Sequence, residues 1–100
     1  MARNQERVKC KAGEWTELTN SNVAIGLTFE ANDMPVDILY TVDPADPNVV
    51  GVANVGWTYM PGTGEKRLVM ADFAGGGENR AWARPAFGAG EDAYVTVDHA

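Results

Sequence analysis

Residues 23–31, Val-Ala-Ile-Gly-Leu-Thr-Phe-Glu-Ala, alternate between apolar positions and positions that are small or polar. Successive side chains of a β-strand point to opposite faces, so this spacing predicts a strand with one apolar face. The other face of the strand would be turned towards water. The predicted apolar face consists of Val23, Ile25, Leu27, Phe29 and Ala31.

A second alternating run follows and has Val36, Ile38, Tyr40 and Val42 on its apolar face. The four residues between the two runs are Asn-Asp-Met-Pro, a composition that favours a turn, and Pro35 cannot donate a hydrogen bond to a strand neighbour. We therefore predict a β-hairpin at the centre of a half-buried sheet. The rest of the chain is then expected to cover the apolar face of this sheet.

Residues 66–73 are the one segment in which helix and strand preferences compete. We predict a strand there that ends in a turn or in a single helical turn around residues 71–73. The other predicted strands are short alternating or apolar segments, namely residues 7–12, 15–18, 80–86 and 93–99, with a short strand or an extended loop at residues 49–56.

Short strands with turn signals about every ten residues are typical of an all-β domain. We predict a small antiparallel β-sandwich or a barrel-like fold of the jelly-roll kind. A chain of 100 residues has the length of one domain. We therefore predict a single domain over residues 1–100, in which residues 1–6 can form an extended N-terminal arm.

The formal net charge is −6, and all basic residues lie within two clusters, at residues 3–11 and 66–84. Residues 12–65 contain eight carboxylates and no lysine or arginine. This layout indicates acidic surfaces, which serve either as a docking face for a basic partner or as ordinary solubilising charge. Acidic surfaces repel nucleic acid, so we expect no direct nucleic-acid binding. Because no apolar run has the length of a membrane span or of a signal-peptide core, we also expect no membrane association.

Few residues are candidates for catalysis or metal binding. Asp43, Asp46 and Asn48 carry oxygen ligands that calcium prefers, but adjacent prolines and the lack of a suitably spaced glutamate favour an ordinary turn. His99 is the one histidine and stands next to the last residue, a poor place for catalysis. Cys10, between two lysines, is either a reactive thiol or a small apolar core residue. We therefore predict no catalytic residue, no metal site and no cofactor, and we expect that the protein is not an enzyme.

The three tryptophans can either form a stacking platform for sugars or fill the core. Trp82 differs from the others because its neighbours at strand spacing are Arg80 and Arg84. If the residues between these three face the core, Trp82 is a candidate anchor for a protein interface. In that case we expect Trp82→Ala to weaken assembly more than it weakens folding.

Several motifs together resemble a known family. They are Ala-Gly-Glu-Trp-Thr-Glu-Leu-Thr at residues 12–19, the strand at residues 23–29, Pro-Val-Asp-Ile at 35–38, Pro-Gly-Thr-Gly-Glu at 61–65, Leu-Val-Met-Ala-Asp at 68–72 and the closing Val-Thr-Val-Asp-His-Ala. Their order is similar to that in small β-rich structural proteins of tailed bacteriophages, and the resemblance covers most of the chain. Asp98 stands where that pattern often has a serine.

The resemblance implies a virion component on the capsid surface, made in the host cytoplasm, that binds the major capsid protein or another virion protein. Its expected role is that of a capsid decoration (cement) protein that bridges and stabilises major capsid subunits. The alternatives are a tail or fibre-associated adaptor and a carbohydrate-binding module. We also expect a homo-oligomer, because a small core leaves Val49, Val50 and Val52 with little to cover them. The candidate contact residues are Arg3, Arg7, Lys9, Lys11, Arg80, Trp82 and Arg84.

Overall fold

The computed structural model describes residues 4–50, 56–73, 76–87 and 89–99. Within these ranges nearly all of the regular secondary structure consists of short strands, which confirms the predicted all-β class. A single α-helical turn, α1, spans Pro47–Val50, and a 3-10 turn spans Met70–Asp72. The strands are β1 (Glu6–Cys10), β2 (Thr16–Glu17), β3 (Ile25–Ala31), β4 (Val36–Thr41), β5 (Trp57–Tyr59), β6 (Gly64–Val69), β7 (Arg80–Pro85) and β8 (Ala93–Asp98).

The strands form two antiparallel sheets of four strands each, and the core lies between the sheets. The first sheet has the order β1-β8-β3-β6, and the second has the order β2-β7-β4-β5. Among the described strands, only β4 and β5 follow one another within one sheet, and every other connection crosses to the opposite sheet. This alternation between two sheets is the topology of a jelly roll. The predicted sandwich is therefore confirmed, in its jelly-roll form.

The predicted hairpin between the two central runs is wrong, because β3 and β4 lie in opposite sheets. In this position their apolar faces cover each other across the core, whereas a hairpin would turn both faces the same way. The link between the strands is held by other segments. Asn32 N–H donates to the carbonyl oxygen of Tyr94 at 3.0 Å, and Ala86 N–H donates to that of Pro35 at 3.0 Å. β7 and β8 likewise form no hairpin with each other, since they also lie in opposite sheets.

The predicted apolar face of β3 is correct except at Ile25, whose side chain is 71% exposed. The pairing of β3 with β6 shifts its register between Ile25 and Leu27, and Gly26 has a φ of +105°. A bulge of this kind places an extra residue in one strand and interrupts the alternation of side chains. Ile25 therefore points outwards, while Leu27 and Phe29 remain in the core.

The strand followed by a short helical turn that was predicted for residues 66–73 is confirmed, at residues 64–72.

The strand or extended loop predicted for residues 49–56 is wrong where it begins, because Val49 and Val50 end α1. Residues 51–55 lie outside the described part of the chain. Asp46 Oδ1 accepts a hydrogen bond from Asn48 N–H at 2.9 Å, and Pro47 is the first helical residue. An aspartate followed by proline is a common helix start.

Candidate functional site

The basic candidate contact residues form two clusters on opposite outer faces of the sandwich, whereas Lys66 and Arg67 lie on β6 of the first sheet. Arg7 and Lys9 alternate with buried residues of β1, so they belong to the outer face of the first sheet. Arg80 and Arg84 alternate with buried alanines of β7, so they belong to the outer face of the second sheet. One flat partner surface cannot contact both clusters. The two remaining basic candidates are Lys11, which is exposed just after β1, and Arg3, which lies outside the described residues.

On the first sheet the basic side chains make local contacts. The guanidinium carbon of Arg7 lies 4.5 Å from the ring centroid of Tyr94, a cation–π distance. Lys9 Nζ lies 3.4 Å from Asp92 Oδ2, and both side chains are exposed, so this ion pair adds little stability. Asp92 Oδ1 also accepts a hydrogen bond from Ala12 N–H at 2.9 Å. That bond, together with the nearby Lys9, lowers the pKa of Asp92 below its ordinary value.

Trp82 is buried although it lies on the outer face of the second sheet. Its side chain is 9% exposed, and its indole N–H donates to Thr41 Oγ1 at 2.8 Å. Within the sheet it stands between Leu39 of β4 and Glu17 of β2. Its position on one face with two arginines is as predicted. However, the chain itself already covers most of the indole, and contact with a partner stays a prediction.

Arg80 joins three segments on this face. Its Nη1 lies 2.6 Å from Glu17 Oε2 of β2, and its Nη2 lies 3.5 Å from Asp43 Oδ1 in the loop after β4. Its Nε donates to Asn22 Oδ1 at 2.8 Å. The Arg80 and Glu17 side chains are both mostly buried, so this arginine acts as a structural link within the domain.

Arg84 and Asn48 of α1 both contact Trp15. The Arg84 guanidinium carbon lies 4.4 Å from a ring centroid of Trp15, and its Nη2 lies 3.6 Å from Asp37 Oδ2. Asn48 accepts a hydrogen bond from Trp15 N–H at 2.8 Å and donates one to its carbonyl oxygen at 2.7 Å. The polar atoms that suggested calcium in the sequence thus bind the chain itself: Asp43 pairs with Arg80, and the amide of Asn48 bonds the backbone of Trp15, just before β2.

We predict that Arg80→Ala lowers the free energy of unfolding by about 2 kcal/mol, because it leaves Glu17 and Asp43 without their cation. The matched control is Lys66→Ala on β6, an exposed cation for which the described residues show no ion pair. Its loss should change stability by less than about 0.5 kcal/mol. Urea unfolding of both variants measures the difference, and equally small effects would show that Arg80 is not a structural link.

An aromatic cluster fills the core on the side of β5 and β6. The rings of Phe29 and Tyr59 meet edge to face with centroids 5.0 Å apart, and this contact joins the two sheets. The ring of Phe73, just after the 3-10 turn, lies 5.7 Å from Tyr40 and 5.8 Å from Trp57. Aromatic pairs in these geometries stabilise beyond the area they bury. The cluster therefore fixes the spacing of the sheets at this side.

Two tyrosine hydroxyls within this cluster have raised pKa values. Tyr59 Oη donates to Glu65 Oε2 at 3.1 Å. Burial, followed by this hydrogen bond and the nearby carboxylate, raises the pKa of Tyr59 to about 12. Burial also raises the pKa of Tyr40, and the charge of Tyr59 adds to the effect. The Tyr40 hydroxyl has no partner in good hydrogen-bond geometry among the described residues.

We predict that a Tyr94→Phe variant, which keeps only Tyr40 and Tyr59, forms no phenolate in the folded state at pH 10, the ordinary tyrosine value. Since folding favours the neutral phenols, their contribution to stability is complete below the unfolded pKa and is lost as the pH rises towards the folded one. Phenolate absorbance is recorded during alkaline titration, with and without urea. Coincident curves would contradict the buried cluster.

Sequence analysis did not identify the apolar side chains that the fold leaves exposed. Alternation placed Ile25 and Val42 on core faces, and no pattern of period two marks a residue displaced by a bulge or carried on a loop. Among the described residues the large exposed apolar side chains, between 45 and 78% exposed, are Ile25, Val42, Trp57, Met60 and Phe87.

Within the described ranges, no group of three or more His, Cys, Asp or Glu side chains is placed to hold a metal ion. Cys10 is fully buried beside Val8, which confirms its apolar interpretation. No helix in the part of the chain that the structure describes is long and apolar enough to cross a membrane. A scan against protein-family models, a search of curated proteins and a search of solved structures each found no match.

Proposed function

We propose that the protein is a virion structural protein of the capsid decoration (cement) type, which binds across the seams between major capsid subunits and stabilises the shell. The proposal develops the resemblance of its motifs to small phage structural proteins. A clamp of this kind needs a stiff scaffold and a contact surface, and its effect grows through many copies bound in register on the shell.

The fold provides a suitable scaffold. Two sheets share one core, and the domain measures 31 × 29 × 23 Å. Arg80 and Asn48 tie loops to the strands, so the surface of the second sheet is held in place. Jelly rolls recur among viral capsid proteins and among lectins. This likeness of fold agrees with both the capsid role and the carbohydrate-binding role, but a fold alone establishes neither function.

The observation that carries the proposal is the presence of large exposed apolar side chains at the ends and edges of a sandwich whose core is closed. Phe87 and Met60 are both more than half exposed. Apolar side chains that remain in water in groups mark surfaces for partners. The net charge of −6 would keep such a protein from binding nucleic acid non-specifically near DNA-filled particles.

Copy number in purified particles tests the proposal. Quantitative mass spectrometry should find copies in proportion to the major capsid protein, and particles made without this protein should release their DNA at a lower temperature. A count that fits a single tail would instead support the adaptor. Absence of the protein from intact particles would exclude both virion roles.

One observation favours the carbohydrate-binding alternative. Trp57 is half exposed on the edge strand β5, whereas Trp15 and Trp82 are buried. An exposed indole can stack on a sugar ring, so glycan binding should change the fluorescence of Trp57. A glycan panel read against the Trp57→Phe variant measures this change. An unchanged signal for every glycan would remove the alternative.

Self-association remains part of the proposal. The valines on which it was based lie where the structure gives no side-chain description, at Val49 and Val50, or outside the described residues, at Val52. If these valines are covered by a second copy, analytical ultracentrifugation should find dimers or trimers at high protein concentration. A monomer throughout would mean that copies come together only on the shell.

A further inference from the structure

Phe87 combines an exposed apolar ring with a strained backbone, and both features are unfavourable in free energy. Its side chain is 78% exposed, and its backbone has a φ of +59°, in the left-handed region. Bulky residues rarely adopt this conformation, because it is strained for any residue with a side chain of this size. Such strain persists only where the surroundings impose it, and it concentrates at functional sites. The chain thus holds a phenyl ring out in water at a position that suits glycine better.

The turn that carries Phe87 is fixed to the sandwich. Ala86 is 2% exposed, and its N–H donates to the carbonyl oxygen of Pro35 at 3.0 Å. Ala89 N–H then donates back to the carbonyl oxygen of Ala86 at 3.2 Å, closing a turn around Phe87. The ring is therefore held on a rigid support, which lowers the entropy that binding would cost.

Phe87 has apolar and acidic neighbours at this end of the sandwich. Pro85, Val36 and Tyr59 are paired across β7, β4 and β5, so the residues that leave these three strands emerge side by side. One of them is Met60, which is 53% exposed. Two exposed acidic residues lie in connections at the same end: Asp33 in the turn before Pro35, and Glu91 in the segment between Phe87 and β8. Neither carboxylate has an ion pair among the described residues.

We propose that this end of the sandwich, Phe87 and Met60 with their acidic rim, is the surface that docks on the shell, with Phe87 inserted into an apolar socket edged by lysine or arginine. This inference rests on the proposed decoration function, and it names the surface through which the protein would bind the shell. Charge favours one occupant. A second copy that docks end to end is a poor one, because the opposite end of the domain carries the acidic residues Asp72 and Glu78. An apolar socket on a shell protein would receive Phe87, and lysine or arginine around that socket would complement the acidic residues of this surface.

The experiment measures binding of the purified protein to purified shells assembled without it. Phe87→Ala should weaken binding about thirtyfold or more, as loss of a central aromatic anchor does. The matched control is Ile25→Ala, an equally exposed apolar residue at the other end of β3, which should stay within about twofold. Asp33→Asn with Glu91→Gln should weaken binding a few-fold and flatten its salt dependence. The melting temperature of Phe87→Gly should equal or exceed that of the natural chain, because glycine relieves the strain.

Each result bears on one claim. Binding of the natural chain with loss in Phe87→Ala alone supports the docking surface. Binding that survives Phe87→Ala would overturn the surface and leave the decoration role in place. A natural chain that does not bind shells would overturn both the role and the surface. A lower melting temperature for Phe87→Gly would show that the ring stabilises the fold and is not held out for a partner.

Discussion

Gly64→Ala is expected to lower the free energy of unfolding strongly. Gly64 lies directly opposite Glu30 where β6 pairs with β3. A Cβ atom there would overlap the carbonyl oxygen of Phe29 and approach Glu30 Cα to 2.8 Å. Both obstacles are backbone, so relief requires the two strands to separate. We expect a loss of about 3 to 4 kcal/mol, a large share of the roughly 5–15 kcal/mol that stabilises a natural domain.

Gly90→Ala is the matched control for this prediction. A Cβ at Gly90 would meet nothing within 4 Å, and its backbone is not left-handed, so the change in stability should be within about 0.5 kcal/mol. Urea unfolding of both variants, followed by circular dichroism, measures the difference. If Gly64→Ala proved as stable as Gly90→Ala, the close approach of β3 and β6 would be wrong.

Trp82→Ala should lower the free energy of unfolding by about 3 kcal/mol, the second largest expected loss, because it truncates a buried tryptophan. The indole is covered on its sheet by β2 and β4, and the variant also leaves Thr41 without its hydrogen bond. The burial of Trp82 thus predicts a large cost to folding, and the greater effect on assembly that the sequence led us to expect stays a prediction.

Trp82→Phe separates the two parts of this effect. It keeps an aromatic ring on the sheet and removes the indole N–H. Its free energy of unfolding should therefore fall by only about 1 kcal/mol. Thermal unfolding and shell binding are measured on both variants. A Trp82→Ala protein that is fully stable but unable to bind would restore the original role of Trp82 as an interface anchor.

Alternation along the chain was enough to predict most of the strands and the fold class. The positions of Leu27, Phe29, Val36 and Ile38 on core faces follow from period two, and the structure buries all four. Which strands pair does not follow from it. An apolar face must be covered, but the pattern is satisfied equally by a neighbour in the same sheet or by a sheet across the core. The hairpin predicted for β3 and β4 failed on this point.

The candidate contact residues show a second limit of the sequence. The placement of Arg80, Trp82 and Arg84 on one face was predictable from spacing. Their ion pairs and burial were not, because Glu17 and Asp43 are distant in sequence. Phe87 was missed altogether, since it stands in a glycine-rich loop and its exposure depends on backbone conformation. A non-glycine residue at a turn position that favours positive φ is a weak signal that a sequence alone rarely reveals.

A cryo-EM map of the particle from which this protein comes tests the central claim most directly. We expect an eight-stranded sandwich at the seams between major capsid subunits, repeated over the shell, with the loop of Phe87 pointing into it. A map with the sandwich confined to the tail, or with no density for it on the shell, would contradict the account.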